Sequence, residues 1–485
     1  MKKITQITVL VAVFFLLFPL SIYAKIKLPA IVSSNMVLQR NTTIVIWGWA
    51  DAYEKISIET SWLDEILNVE TDKDGNWQME VETTNDTSPQ VIRITSKTSD
   101  IKLENVVFGE VWLCSGQSNM YHQINGYFGQ PVLGATMAIA RSNNPNLRLF
   151  SLGKVGSKEP LKDIEKYSGW HQAHPNNVGA FSAVAYFFGQ QLQEILKVPV
   201  GLIHASWGGS KIQSWISKEV MDNYEQVDLA DVDITRATNH IPTTLFNAMI
   251  NPLIPYTIKG ALWYQGESNR TEPGKYTELF PAMVKDWRTR WGIGDFPFYY
   301  VQIAPYRYNN INAFNTIENT AFIREAQLQC LNMIPNSGIA ITMDIGDEYC
   351  IHPPKKKEVA DRLLFNALNK TYGFKAVDCA APIFDSKEVK KGGIILKFKN
   401  AETGLYSFET LEGFEIAGAD KIFYPAKAKI VHRKEVWVTS DAVPSPVAVR
   451  YAWRNWIIGT LYDVNLLPAP SFRTDDWDDG KRVEN

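Results

Sequence analysis

Apolar segments of strand length alternate with segments of helical periodicity between residues 106 and 370, and this alternation constrains the fold more than any other feature. The strand-like segments are 106–114, 198–205, 259–264 and 298–303, and the helix-like segments are 181–196, 276–291 and 357–368. Such alternation predicts an α/β fold, with a parallel sheet and helices on both of its faces. Ligands bind such sheets at the carboxyl ends of the strands, so we expect the functional residues in the turns that follow them.

The flanking sequence on both sides is typical of β-structure. Short alternating segments stand at 43–49, 55–60 and 90–94, with a tight-turn signal at 72–76, and again at 393–398, 428–431, 435–438 and 447–453. Short strands separated by turn residues favour small β-sandwich-like regions. We therefore predict an N-terminal β domain over 25–105, an α/β domain over 106–372 and a C-terminal β region over 373–485, which fits a length of 485 residues at ~150 residues per domain.

The N-terminus has the pattern of a secretory signal. Two lysines follow Met1, an apolar segment spans 9–20, and the sequence Ser-Ile-Tyr-Ala then ends in the small residue Ala24. The apolar segment is shorter than the ~20 residues that a membrane-spanning helix needs. We predict a signal peptide over 1–24 and a secreted or periplasmic protein without a membrane anchor. An oxidising compartment permits disulfides, and whether any of the four cysteines pair stays open.

Charge and aromatic content narrow the classes of partner. Lys and Arg total 49 and Asp and Glu total 52, for a net charge of −3, so no basic excess supports nucleic-acid binding. The chain has 15 Trp, 20 Tyr and 23 Phe, whose flat rings either fill the core or stack on a sugar. Composition does not separate these two roles, and it does not indicate an oligomeric state.

Four turns rich in polar and small residues follow predicted strands. They are SGQSNM at 115–120, ASWGGSK at 205–211, WYQGESN at 263–269 and DIGDEYCIHPP at 344–354. Ser118 on a tight turn can project its hydroxyl at the edge of the sheet, close to its own backbone N–H. The glycine pair before Ser210 lets a backbone N–H approach a ligand, and the third turn offers the amides of Gln265 and Asn269. His352 has acids shortly upstream, and a base that activates serine needs a group that fixes its tautomer.

These residues resemble the SGNH hydrolases, and specifically the sialate O-acetylesterase family. The motif GQSNM at 116–120 resembles the nucleophile block, and further similar segments extend over residues 28 to 477. These segments are MVLQR at 36–40, WGW at 47–49, FSAVAYF at 181–187, WYQGESN at 263–269, GFEIAG at 413–418, VRYAW at 449–453 and LPA at 467–469. The resemblance implies an SGNH-type three-layer α/β/α hydrolase domain with flanking β-sandwich-like regions.

The resemblance also implies roles for individual residues. Ser118 would be the nucleophile and His352 the base. The oxyanion hole would use the Ser118 N–H, a glycine N–H of the turn that contains Gly209, and a side-chain amide, for which we favour Gln265 over Asn269. Further residues of the same turns are predicted to lie at the site and contact substrate: Asn119, Trp207 and Glu267.

The acid of the triad is less well defined. Many SGNH enzymes have Asp three residues before the catalytic histidine, where this chain has Tyr349. Asp347 lies five residues before His352 and is the first candidate. Glu267 or a backbone carbonyl are the alternatives.

The resemblance implies an exported serine esterase that removes O-acetyl groups from carbohydrate, without metal or cofactor. O-acetylated sialic acid is the first expected substrate, and acetylated xylan, xyloglucan or pectin is the alternative. A sialate site should supply a cation for the carboxylate, and Lys211 is a weak candidate. Two other classes of function are a non-catalytic glycan-binding protein and a general lipid esterase. The intact serine and histidine disfavour the glycan-binding protein. The lack of a long apolar lid disfavours the lipid esterase.

Some of the aromatic residues lie in or near the predicted functional turns. Trp112, Trp207 and the pair Trp263 and Tyr264 fall in or near them, and are the candidates for contact with a sugar. The tryptophans of the β regions are predicted to be core residues: Trp47, Trp49, Trp437 and Trp453.

Overall fold

The computed structural model describes residues 25–308, 315–316 and 318–483. The predicted signal peptide, 1–24, lies outside these residues. The N-terminal part of the described chain forms six strands. They are β1 Val37–Gln39, β2 Thr43–Trp49, β3 Lys55–Thr60, β4 Leu67–Glu70, β5 Asn76–Glu82 and β6 Gln90–Thr95.

The middle of the chain alternates strands and helices, as its sequence predicts. Its strands are β7 Asp100–Gly116, β8 Asn144–Ser151, β9 His171–Ala173, β10 Val200–Ser206, β11 Gly260–Tyr264, β12 Phe298–Val301 and β13 Ser337–Ala340. Its α-helices are α1 Ser118–Tyr121, α2 Ala135–Ala140, α3 Ala183–Leu196, α4 Lys218–Met221, α5 Pro273–Trp291, α6 Ala321–Cys330 and α7 Lys356–Asn366. Short 3₁₀ segments are Val178–Ala180, Ile212–Trp215, Thr238–His240, Asn251–Leu253 and Glu267–Asn269, and π-helical segments are Phe246–Ile250 and Ala367–Thr371.

Helix ends follow from local sequence. The Ser182 hydroxyl accepts a hydrogen bond from the Ala185 N–H at 3.2 Å and so caps the first turn of α3. Helix α5 begins at Pro273, whose missing N–H needs no partner there, and it is capped after Trp291 by Gly292, which has a φ of +66°.

The central sheet is parallel where the predicted functional turns leave it. Strands follow one another in the order β13, β12, β11, β7, β10 and β8, all parallel, and β9 pairs antiparallel with β8 at the edge. The predicted α/β class is therefore confirmed, within a larger mixed sheet.

Helices cover both faces of this sheet. Along β7 the side chains of Trp112 and Cys114 join one buried cluster with α3 and α7, whereas Val111 and Leu113 join another with α5 and α6. Successive strand residues point to opposite faces, so a strand covered on both sides must be apolar throughout.

Strand β7 is unusually long and belongs to two regions. Its first half pairs antiparallel with β6 of the N-terminal region, and its second half is the centre of the parallel sheet. Strand β1 also pairs with β7. The predicted division between residues 105 and 106 lies within this strand.

The C-terminal region is β-rich, as predicted. Its strands are β14 Ile383–Lys390, β15 Gly393–Lys399, β16 Leu405–Tyr406, β17 Phe414–Ala417, β18 Ile422–Pro425, β19 Lys427–His432, β20 Glu435–Thr439, β21 Ala448–Tyr451, β22 Tyr462–Asp463, β23 Phe472–Arg473 and β24 Lys481–Arg482. Helix α6 contacts this region through the buried Arg324, whose guanidinium donates to the carbonyls of Ala452 and Arg454 and to the Ser471 hydroxyl.

Two further sequence expectations concern the membrane and the cysteines. Over the described ranges, no helix combines the length and the apolar character that crossing a bilayer requires. All four cysteines are free thiols, of which Cys114 and Cys330 are buried and Cys350 and Cys379 are half-buried.

Candidate active site

The predicted turns meet because the strands that precede them end in register. Gly116, the last residue of β7, pairs with Ser206 of β10 on one side and Tyr264 of β11 on the other. The backbone at Gly116 has a φ of +135°, and a methyl group there would lie 2.2 Å from the Tyr264 carbonyl oxygen. Glycine is therefore required at this position, and the turn that follows it lies against the two neighbouring strands.

Ser118 stands at the start of α1, half-buried at this edge of the sheet. Its hydroxyl has no hydrogen-bond partner among the described residues. A methyl group at Gly208 would lie 3.4 Å from the Ser118 Cβ, so the glycine turn adjoins the serine. Helix α1 has only four residues, and the local donor is therefore the Ser118 N–H rather than a long helix dipole.

The glycine turn after β10 is held through its carbonyl groups. The Asn239 side-chain amide donates to the Gly208 carbonyl at 2.8 Å, and the His240 Nε2–H donates to the Gly209 carbonyl at 2.9 Å. In the part of the chain that the structure covers, the N–H groups of both glycines have no acceptor. Two backbone donors thus remain available beside Ser118.

Gln265 and Asn269, the predicted amide donors, lie beneath this turn and are fully buried. The Gln265 amide donates to the Ser210 carbonyl at 3.0 Å and to Asn269 Oδ1 at 2.8 Å. The Asn269 amide donates to Gln213 and Glu272, and its oxygen accepts from the Ile212 N–H. The structure therefore uses both amides to support the segment that follows the glycine pair.

A buried polar network links the residue after the serine to the histidine loop. The Asn119 amide donates to Glu267 Oε1 at 2.5 Å and to the Ile351 carbonyl at 3.1 Å. Its oxygen accepts a hydrogen bond from the Lys356 ammonium. Ile351 directly precedes His352, so Asn119 connects the two turns that carry the proposed nucleophile and base.

Burial shifts the pKa values of both ionisable groups in this network. It lowers the pKa of Lys356 to about 7, against the opposing attraction of the Glu267 carboxylate. It raises the pKa of Glu267, whose Oε2 has no hydrogen-bond partner among the described residues. Each shift disfavours the charged form, as expected for groups removed from water.

His352 is held by a residue that the sequence did not indicate. Its Nδ1–H donates to the side-chain oxygen of Gln130 at 2.8 Å, which leaves Nε2 as the acceptor nitrogen. The backbone carbonyl of Gln130 accepts from His122 Nε2 at 3.2 Å, and the two imidazole rings stand edge to face at 5.5 Å. Burial, assisted by the positive Lys356, lowers the pKa of His352 to about 4, so that the ring is neutral at pH 7.

Asp347, the first candidate for the acid, shapes the loop that precedes His352. Its Oδ1 accepts hydrogen bonds from the N–H groups of Tyr349 and Cys350, each at 2.9 Å. In the described residues the partner of His352 Nδ1 is the Gln130 amide, and a triad role for Asp347 stays a prediction.

Few of the aromatic residues proposed for sugar contact are available to a ligand. Trp112, Trp263 and Tyr264 are fully buried, because helices cover both faces of the strands that carry them. Trp207, at the glycine turn, is half-buried and remains a candidate. The expectation of core packing is met by Trp47 and Trp453, whereas Trp49 and Trp437 keep part of their surface exposed.

Lys211, the weak candidate for a sialate carboxylate, is already paired. Its ammonium lies 3.3 Å from the Glu272 carboxylate. Another cation, Lys154, lies 4.0 Å from the centroid of the Tyr121 ring on α1, and no carboxylate of the described chain forms an ion pair with it.

Comparison with known proteins places this chain among carbohydrate esterases. A family model described as "Carbohydrate esterase, sialic acid-specific acetylesterase" matches residues 108–356. The sialate O-acetylesterase of Mus musculus is 26% identical over 512 residues, covering 91% of this chain and 93% of that protein. The sialate O-acetylesterase of Homo sapiens is 27% identical over 496 residues, covering 91% of each.

A solved structure is similar over nearly the whole chain. A carbohydrate acetylesterase from Xanthomonas citri superposes with a TM-score of 0.84 at 33% identity, and the alignment covers 93% of this chain and 100% of that one. The flanking β regions are therefore part of the shared architecture.

Proposed function

The chain belongs to the sialic acid-specific acetylesterase family of carbohydrate esterases and is a carboxylic ester hydrolase, and from that premise we propose that it removes O-acetyl groups from carbohydrate through an acetyl-enzyme on Ser118. The observation that supports this proposal is the contact between the turns: the glycine turn adjoins Ser118, and Asn119, directly after Ser118, donates to the carbonyl of Ile351, directly before His352. We assign the two helical layers and the parallel sheet to the SGNH three-layer fold, with domains divided at residues 105 and 372.

The proposed reaction begins when His352 Nε2 takes the proton of the Ser118 hydroxyl and Oγ attacks the acetyl carbonyl carbon. The oxyanion that forms accepts hydrogen bonds from the N–H groups of Ser118 and Gly209. The bond to the sugar oxygen then breaks, and the proton on His352 passes to that oxygen. A water molecule, deprotonated by the same ring, releases acetate and restores Ser118.

The remaining predicted residues support this step. Gln265 and Asn269 hold the segment behind the glycine turn, and Asn119 fixes the distance between the serine and histidine loops through Glu267 and Ile351. We propose that Gln130 orients His352 in the resting enzyme, in the position where a triad acid is expected. Trp207 is the ring placed to contact the sugar.

Replacement of Ser118 tests the assignment of the nucleophile. The Ser118→Ala variant should lose at least about 1,000-fold in kcat for 4-nitrophenyl acetate, with an unchanged circular dichroism spectrum. Ser268→Ala, which removes a hydroxyl from the neighbouring turn, is the matched control and should retain turnover. Full activity of Ser118→Ala would overturn the proposal, and a folded wild-type protein without esterase activity would favour the non-catalytic glycan-binding alternative.

The sugar is proposed to be O-acetylated sialic acid first, because two sialate O-acetylesterases align over 91% of the chain and Lys154 offers a cation near α1. Acetylated xylan, xyloglucan or pectin is the alternative, favoured by the higher identity to a protein described only as a carbohydrate acetylesterase. Acetate release from a panel of these glycans decides between them. The N-terminal sequence supports the further proposal that the enzyme is exported after cleavage at Ala24.

A further inference from the structure

A cavity lies where the N-terminal β region meets the segment before β11. Its volume is about 560 Å³, and Trp47, Trp49 and Trp77 line it together with the polar side chains of Glu70, Gln78 and Lys162. A volume in this range is typical of sites for small molecules and short oligomers. None of the residues in the Ser118, glycine or His352 turns belongs to this Trp-lined cleft.

Pairing between β2 and β5 places Trp47 and Trp49 on one face of the two-stranded ribbon and Trp77 on the other. Trp49 pairs with Asn76 and Trp47 with Gln78, so these four side chains share one face of the ribbon. Gly48 pairs with Trp77, and a methyl group at Gly48 would lie 3.0 Å from the Trp77 ring. The Lys27 carbonyl oxygen would lie nearer still, at 2.4 Å, so glycine is required here chiefly by the approach of that backbone.

The indoles differ in what they offer a ligand. Trp49 is half-exposed, and the Lys27 ammonium, which does not line the cleft, lies 5.0 Å from its ring centroid and helps to fix its orientation. Trp77 is only 4% exposed, and its Nε1–H has no acceptor in the part of the chain described. Trp77 therefore forms part of the wall of the cleft, and Trp49 is the indole with surface available to a ligand.

The polar groups of the cleft suit hydroxyls and disfavour anions. Gln78 and Glu70 are exposed, and their side chains have no hydrogen-bond partner among the described residues. The cleft has two carboxylates, Glu70 and Asp72, against the single ammonium of Lys162, which donates to Asn76 at 3.3 Å. This excess of negative charge repels uronate or sialate groups.

We propose that the Trp-lined cleft is a second carbohydrate-binding site, which holds a neutral glycan chain by stacking on Trp49 and by hydrogen bonds to Gln78 and Glu70. Flat rings present large contact areas at low entropic cost, and indoles combine an apolar face with an N–H donor. The site goes beyond the proposed esterase function, because it binds the chain of a glycan rather than its acetyl group. With acetylated xylan or xyloglucan, the neutral polymers among the alternative substrates, it would keep the chain on the enzyme between turnovers.

Affinity gel electrophoresis of the full chain tests this site. The Ser118→Ala protein serves as the parent, so that hydrolysis does not change the probe, and the gels contain deacetylated xyloglucan, deacetylated xylan or polygalacturonate. The parent should be retarded by at least one neutral polysaccharide and not by polygalacturonate. Trp49→Ala should weaken that binding about 3- to 10-fold, the range expected for loss of one aromatic contact.

Tyr53→Ala removes an exposed ring from the same β region outside the cleft and should bind as the parent does. Gln78→Ala offers a second cleft variant if Trp49→Ala is unstable, and a smaller loss of binding is expected. Equal retardation of parent and both cleft variants, preference for polygalacturonate, or no retardation in any gel would overturn the proposal. Failure of the nucleophile assignment would instead show as esterase activity in the Ser118→Ala parent, whatever the gels show.

Discussion

At the scale of single residues, the group that faces His352 Nδ1 in the structure is the Gln130 amide rather than a carboxylate. A buried aspartate would fix the histidine tautomer and also stabilise the imidazolium that forms during reaction. A neutral amide at 2.8 Å fixes the tautomer alone. Burial, assisted by the nearby Lys356, keeps the pKa of His352 low, at about 4.

This pKa gives a first prediction, for the pH dependence of kcat/KM. His352 must be neutral to accept the Ser118 proton, so activity should fall on the acid side near pH 4 rather than near 6.5. In Gln130→Glu a carboxylate faces Nδ1 and favours the protonated ring, so the acid limb should move up by about 1 pH unit or more. The measurement is the pH profile for 4-nitrophenyl acetate.

The matched control is Gln172→Glu, which adds the same charge at an exposed position. In this variant the acid limb of the pH profile should stay at its wild-type pH. Gln130→Ala should lower kcat, because the tautomer is no longer fixed, with little change in KM. An acid limb that stays fixed in Gln130→Glu would show that Gln130 has no part in orienting the base.

How much of the site the sequence predicts depends on how each residue reaches it. Ser118 and His352 follow predicted strands within motifs, so local sequence locates them. Gln130 lies 222 positions before His352 and stands in a turn with no motif of its own, and only tertiary folding brings the two together. Lys356 follows the histidine motif, but a lysine at the start of a helix is ordinarily solvated, and nothing local indicates its burial.

At the scale of elements, prediction succeeds where one pattern dominates a segment. Strands β2 and β3 begin and end as their alternation predicts. Strand β8 was missed because Asn-Pro-Asn opens it and the buried Arg148 interrupts its apolar pattern. That guanidinium donates to backbone carbonyls of the N-terminal region, including the Asn35 carbonyl at 2.9 Å, a compensation that sequence does not reveal.

The junction between β7 and α1 gives a prediction at this scale. Gly116→Ala would place a methyl group 2.2 Å from the Tyr264 carbonyl oxygen and also strain a φ of +135°. We expect a loss of more than about 4 kcal/mol in the free energy of unfolding, the range of severe steric substitutions. The measurement is chemical denaturation, with esterase activity of the folded fraction as a second readout.

Gly134→Ala separates the two causes. Gly134 also has a positive φ, of +78°, but its surroundings are open to an added methyl group. This variant should lose only about 1–2 kcal/mol, the cost of the left-handed backbone conformation. Similar losses in the two variants would show that contact with the Tyr264 backbone does not determine the need for glycine at 116.

At the scale of the whole molecule, the three regions that differ in sequence are physically joined. Strand β7 enters both the N-terminal sheet and the parallel sheet, and one buried cluster contains Ile94 of β6 as well as Trp263 of β11. On the C-terminal side, the fully buried Arg324 ties α6 to two segments of the β region, one with Ala452 and Arg454 and the other with Ser471. Sequence patterns mark the change from β-structure to alternating strands and helices, but they do not show that one strand, β7, belongs to both sheets.

This continuity predicts that the N-terminal region and the parallel sheet unfold together. Ile94 is fully buried and its partner across the ladder is Ile101 of β7. Ile94→Ala should cost about 2–5 kcal/mol, and because β7 is shared, calorimetry should show a single lowered transition. Heat inactivation of 4-nitrophenyl acetate hydrolysis should shift by the same number of degrees, although residue 94 lies outside the predicted α/β domain. The exposed Ile66 provides the control, since Ile66→Ala should change neither temperature measurably. The opposite result would be two calorimetric transitions, of which the one that abolishes activity keeps its wild-type temperature in Ile94→Ala. That result would show that the shared strand does not couple the regions.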